Sequence, residues 1–371
     1  MVTSDYELTF PAIRGIQAGK EYYVAMCPLN VAVDIIKLND DDESIPAELR
    51  AQRVLNKSRV PALREYVLKN PESYAFSSLT VSIDSRVEFI PSGTEGIAKK
   101  MGMLKVPFGV TYLINDGQHR RAAIEQALKE RPELRNETIS LVIYIDQGLK
   151  RSQQLFADLN RYVIRPTSSL GILYDHRDPM ARMMQEVVNE VDVFKHLTEK
   201  AKTTISNRSR KLFTLSVLYH STCDLLGKKK GEKVGDKERQ LATTFWGEVV
   251  QNIPEWQQAA KGQVVTSELR KDFIHAHGIA LRSLGRVGAA LLAEPQSEWK
   301  KRLKRLRQVD WTRTNASLWE GRAMIAGKIS KSHNNIILTA NVIKRTLGVP
   351  LTPIEEEVES NFNKRDIPNA N

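Results

Sequence analysis

The chain has 371 residues, 41% hydrophobic and 27% charged, ordinary for a globular protein and long enough to bury a full core. Its formal net charge of +11 and isoelectric point near 9.5 favour polyanionic partners, although a basic excess also serves plain solubility. The sequence has no long apolar run, no Walker-type loop, no Gly-x-Ser-x-Gly elbow and no zinc-type Cys or His spacing, so none of the corresponding classes is expected.

Met1–Phe10 is acidic and has no apolar secretory core, and Cys27 and Cys223 stand far apart, which fits a cytoplasmic protein with packed, reduced thiols. Leu8–Gln17 and Glu21–Met26 read as strands around an Ala18-Gly19 turn, followed by a polar loop at Asp40–Glu43. Ser58–Lys69 reads as a helix ended by Pro71. Leu79–Asp84, Val87–Ile90, Val106–Asn115 and Ile139–Ile145 carry the β-branched and aromatic residues of strands. Between them, Ser92–Leu104, with Gly93 and Gly96 near its start, reads as a mobile flap.

At the end of the third of these strands stands Asp116-Gly117-Gln118-His119-Arg120, and a helical pattern over Gln118–Lys129 follows. A glycine at such a junction lets the backbone turn, and the N–H groups opening the helix favour an anion, phosphate above all. Asp-Gly is equally a hairpin signal, and Asp116 could be a simple N-cap. Downstream, Leu155, Phe156 and Leu159 fit one apolar face of a short helix, with Asp158 and Asn160 off that face and Arg165-Pro166 beyond it.

Taken together, the DGQHR run and Phe156-x-x-Leu159-Asn160 resemble the DndB-like DGQHR-domain family, which is similar to the ParB/sulfiredoxin-like superfamily. The resemblance continues through Phe245-Trp246, Ile253-Pro254-Glu255-Trp256, His277–Leu281, Asp310–Arg313 and Trp319–Arg322, to about Pro350. It implies a DNA-binding transcriptional regulator of genes for DNA phosphorothioation, the sulfur modification of the DNA backbone. It also implies a phosphate- or nucleotide-binding pocket at Gly117, Gln118, Arg120, Asp158 and Asn160. If the pocket is catalytic, Asp116 and His119 are the residues to do the work, with a nucleotide and Mg²⁺ as cofactor. That reading makes the chain a nucleotide hydrolase or DNA-nicking enzyme, and it stays open beside the regulator.

After Thr167 helical patterns dominate: Pro179–Val191, Ser209–Leu226, Glu238–Ile253, Ile274–Leu292, Trp299–Val309 and Leu338–Leu347. The expected fold class is α+β: a ParB-like mixed domain over residues 1–165, a mainly helical basic domain over 166–350 and an acidic, loosely ordered tail over 351–371. Arg208, Arg210 and Lys211 stand among hydroxyl residues suited to phosphate contacts, and Lys228–Lys237 reads as a solvated loop. Lys300, Lys301, Arg302, Lys304 and Arg305 form a basic stripe around Leu303 and Leu306, with Glu298 and Asp310 as its nearest acids. These residues are the candidate contacts to double-stranded promoter DNA. Ser332, His333, Asn334, Asn335 and Asn341 could read bases, or cap a helical hairpin. The pattern leaves a homo-oligomer open and gives no sign of a membrane partner.

Overall fold

The computed structural model describes residues 7–38, 55–146, 151–161, 166–206 and 208–365. The expected loop at Asp40–Glu43, Arg165 at the expected boundary and the last six residues of the tail lie outside these. The chain separates into two compact units, Met1–Ile164 and Arg165–Asn371.

The first unit is a mixed sheet with helices. Its elements are β1 (Glu7–Gln17), β2 (Lys20–Pro28), α1 (Leu29–Ile35), α2 (Val60–Lys69), β3 (Leu79–Ile83), β4 (Glu88–Pro91), β5 (Met101–Pro107), β6 (Tyr112–Asp116), α3 (Gln118–Glu130), β7 (Thr138–Ile145) and α4 (Ser152–Arg161). The strands lie in the order β4-β5-β1-β2-β7-β3-β6. Every neighbouring pair is antiparallel except β3 and β7. Ala18 and Gly19, at φ 51° and 71°, make the tight β1–β2 turn that their sequence predicts. Alternation sets the core: Ile139, Leu141 and Ile143 of β7 point inward and pack with Ile36, Val67, Ile124 and Ala127 from the α1–α3 side. All five residues of β3 are buried.

Two expectations change here. The strand over Val106–Asn115 is two strands, β5 and β6, because Gly109 at φ 84° turns the chain between them. The flap over Ser92–Leu104 shortens, since its last residues, Met101–Leu104, pair with β1 and β4.

The second unit is helical: α5 (Ser168–Tyr174), α6 (Pro179–Glu190), α7 (Asp192–Leu197), α8 (Leu215–Leu226), α9 (Asp236–Gln251), α10 (Pro254–Ala260), α11 (Thr266–Asp272), α12 (Gly278–Leu291), α13 (Gln296–Leu303), α14 (Ala316–Trp319), α15 (His333–Leu347) and α16 (Pro353–Arg365). All five tryptophans lie in it, and none is more than 7% exposed. Phe213 meets Phe194 at 5.6 Å and Trp256 at 4.8 Å, edge to face. The aromatic motifs of the resemblance in this half are therefore core. Ser209–Thr214 is not helical, because Thr214 caps α8 through Val217 N–H and Phe213-Thr214 pairs with Thr198-Glu199 as a short strand.

Within the expected loose tail, Pro353–Arg365 is instead a helix. Glu355 and Glu359 of α16 are 3% and 2% exposed. Lys344 donates to Glu355, while Arg322, Arg345 and Asn341 donate to Glu359. The acidic residues look solvated in the sequence because their cations stand in earlier segments of the chain.

Candidate functional site

The DGQHR run lies at the β6–α3 junction. Thr80 pairs with Asp116 and Val81 with Ile114, so a bulge leaves Asn115 without an opposite residue. Its buried side chain donates to Ser82 Oγ at 2.6 Å and accepts from Ser152 Oγ at 2.7 Å. Gly117 then turns the chain at φ 104°, and no side chain caps α3. A Cβ on Gly117 would lie 2.5 Å from Leu79 Cδ2 and 3.0 Å from Arg120 Nη2, so the turn is packed as well as left-handed.

The charges of the motif are partly spent on one another. Arg120 Nη2 donates to Asp116 Oδ2 at 2.8 Å and to the Ser78 carbonyl at 3.0 Å. The next residue, Arg121, is buried and donates to the carbonyls of Val33 and Ile36, closing the end of α1. His119 Nε2 is buried without a hydrogen-bond partner. Burial first, then the cations Arg59 and Arg120, hold its imidazole below the usual pKa, with Asp116 opposing them. His119 is thus neutral at pH 7. Arg59 is exposed at the start of α2, and its guanidinium has no hydrogen-bond or carboxylate partner among the described residues. Among the described residues it is an uncommitted cation beside the motif, and the sequence reading missed it. The available signal was a cation at a helix N-terminus, where the dipole disfavours one.

The structure brings Asp116 and Arg120 together and half-buries Gln118 beside them. From α4, Ser152 bonds Asn115 of β6. Asp158 is exposed and accepts from Gln154 of its own helix at 2.7 Å; it lies ~9 Å further along α4 by helical rise. The side chain of Asn160 lies outside the described residues. Arg120 neutralises Asp116, and among the described residues no group of three metal-ligating side chains occurs. An uncapped helix end beside Arg59 and a neutral imidazole suits the binding of an anion.

In the helical unit the basic stripe divides in two. Lys300 pairs with Glu248 at 2.9 Å, and Arg302 pairs with Glu294 at 2.8 Å and donates to the Gly348 carbonyl at the end of α15. Arg307 donates to Asn252 and to the Gln251 carbonyl at the end of α9. The acids expected nearby, Glu298 and Asp310, are not the partners. Lys301, Lys304 and Arg305 are exposed and have no carboxylate partner among the described residues, though an Arg305 nitrogen stands beside Gly348. Arg208 and Arg210 are exposed, whereas Lys211 is half-buried and donates to the His196 carbonyl at 2.8 Å. Of the expected base readers, Asn335 and Asn341 are buried and bond the fold, and Ser332 caps α15.

Among the described residues no helix is long and apolar enough to cross a membrane. Burial raises both thiols, Cys27 to about 12 and Cys223 to about 11, which leaves them protonated. Neither a search of curated proteins nor one of solved structures gave a match. The profile of the DndB family, described as DNA-sulfur modification-associated, matches residues 10–350, and the chain belongs to that family.

Proposed function

We propose that this DndB-family member is a DNA-binding transcriptional regulator of a DNA phosphorothioation operon, whose DGQHR junction binds a phosphate-bearing ligand. The observation that carries the DNA-binding part is the set Lys301, Lys304 and Arg305. Their neighbours Lys300, Arg302 and Arg307 anchor the segment to α9, α15 and the loop before α13, while these three face solvent with uncompensated charge. Cations held on a rigid element suit DNA phosphates, and their binding releases counterions.

The test is binding of the operon's own promoter fragment across a salt series. The variant Lys301→Gln/Lys304→Gln/Arg305→Gln should bind more weakly, and its log–log salt slope should flatten by about 0.9 for each phosphate that is no longer neutralised. An unchanged slope in a folded variant would move the interface to Arg208 and Arg210.

A second reading, an enzyme that hydrolyses a nucleotide or nicks DNA, draws on the unpartnered, neutral His119, which is in the protonation state of a general base. Phosphate release from ATP with Mg²⁺ decides between the two. Turnover lost in both Asp116→Ala and His119→Ala supports the enzyme. Absence of turnover together with ligand-dependent promoter binding supports the regulator.

A further inference from the structure

The helical unit contains a cleft of about 660 Å³ where the N-termini of α8 and α12 meet α11. Three of its lining cations, Lys271, Arg313 and Lys331, have no carboxylate partner among the described residues. Among the described residues Arg313 donates only to main-chain oxygens, those of Gly327 at 2.7 Å, Lys271 at 3.1 Å and Arg270 at 3.3 Å, none of which carries a compensating charge. Lys331 Nζ stands 3.5 Å from where a Cβ on Gly278 would lie, against the first turn of α12. No side chain caps that turn, which is the positive end of a 14-residue helix. Glu268 is the one carboxylate of the lining.

Like charges gathered at a half-enclosed cleft repel one another, and a bound anion reverses the sign of that interaction. His277, which opens α12, registers the field. Burial first, and then Arg313, Lys331 and Arg270 against a bond to the Arg270 carbonyl, hold its imidazole down at about 4. It is neutral at pH 7, so Nε2–H donates to the Arg270 carbonyl at 2.7 Å. Val217 and Leu281 add apolar surface to the lining, Val217 beside Lys331 at the first turn of α12. The volume lies within the range of small-molecule sites and far exceeds what a lone phosphate fills.

We propose that this cleft binds a nucleoside 5′-phosphate, with the phosphate against Lys271, Arg313, Lys331 and the first turn of α12 and the base against the apolar side chains of the lining. The phosphate can come from a free nucleotide or from the 5′ end of a DNA strand. All the residues of the cleft belong to the helical unit, so the proposal does not depend on the DGQHR junction.

The experiment is calorimetric titration of the full chain with AMP, adenosine, inorganic phosphate and a 5′-phosphorylated single-stranded oligonucleotide. AMP should bind at least tenfold more tightly than adenosine or phosphate alone. Lys271→Gln/Lys331→Gln removes two charges that hold no carboxylate of the fold and should weaken AMP at least tenfold, whereas Lys233→Gln, exposed on the loop before α9, should leave it unchanged. Ser267→Trp, which fills the cleft, should abolish binding. If the oligonucleotide binds more tightly than AMP and is weakened by the same variants, the source is a DNA end. Absence of binding by every probe, equal affinity for AMP and adenosine, or AMP binding that survives both cleft variants overturns the proposal.

Discussion

At φ 104°, with the position of a Cβ only 2.5 Å from Leu79 Cδ2, Gly117 tolerates no side chain without a shift of the Leu79 side chain or of the turn. Gly117→Ala should therefore destabilise the first unit by about 1–3 kcal/mol, read as a lower denaturation midpoint. An unchanged midpoint would mean that the junction relaxes freely. A second residue-scale effect belongs to His275, which is fully buried and accepts from Trp256 Nε1 at 3.0 Å. Burial, then its neighbour His277, pushes its imidazole down to about 3. The unfolded chain takes up a proton below about pH 6.5 while the folded chain does not. Stability is thus complete above about pH 6.5 and falls on acidification towards pH 3, at up to about 1.4 kcal/mol per pH unit. Melting curves between pH 7 and 5 should show this slope, and His275→Gln should reduce it. A slope that is unaltered in the variant would assign the effect to other groups.

Helix α16 is an element held by charge. Burial alone would raise the Glu359 carboxyl, but hydrogen bonds from Arg322 and Asn341 and the charges of Arg322 and Arg345 outweigh it and hold the pKa below the usual carboxylate range. Glu359→Ala leaves the buried Arg322 without its partner and should cost about 3–5 kcal/mol, with Glu359→Gln costing less because it keeps hydrogen-bonding capacity. Urea denaturation of the two variants separates charge from shape, and equal destabilisation would show that the ion pair itself contributes little. Elsewhere the same scale explains the split of the basic stripe. Leu303 and Leu306 turn inward as their spacing predicts, but which neighbouring cations end on carbonyls or carboxylates depends on where the ends of α9 and α15 come to rest.

On the scale of the whole molecule, each unit has its own core: one around the sheet, the other around Trp246, Trp256, Trp299 and Trp319. A fragment spanning residues 165–371 should fold alone, with a helical spectrum and a cooperative melt, and should keep the salt-dependent promoter affinity. A fragment that melts without cooperativity would show that its core needs the first unit. A folded fragment without affinity would place DNA contacts in the first unit.

The local features of this chain were legible without coordinates. The Ala18-Gly19 hairpin, the alternation of β7, the strand-to-helix switch at Gly117 and the helical pattern after Thr167 each depend on neighbouring residues and on the backbone freedom of single glycines. The family was legible too, because its motifs are short and ordered along the chain. Tertiary structure alone decided how the charges are used. Arg121 meets the Ile36 carbonyl 85 residues away, Arg322 meets Glu359 37 residues away, and Arg313 and Lys331 are left facing a cleft. A charged side chain takes its role from whatever chain end or carboxylate folding brings within about 3 Å, and sequence spacing carries no record of that distance.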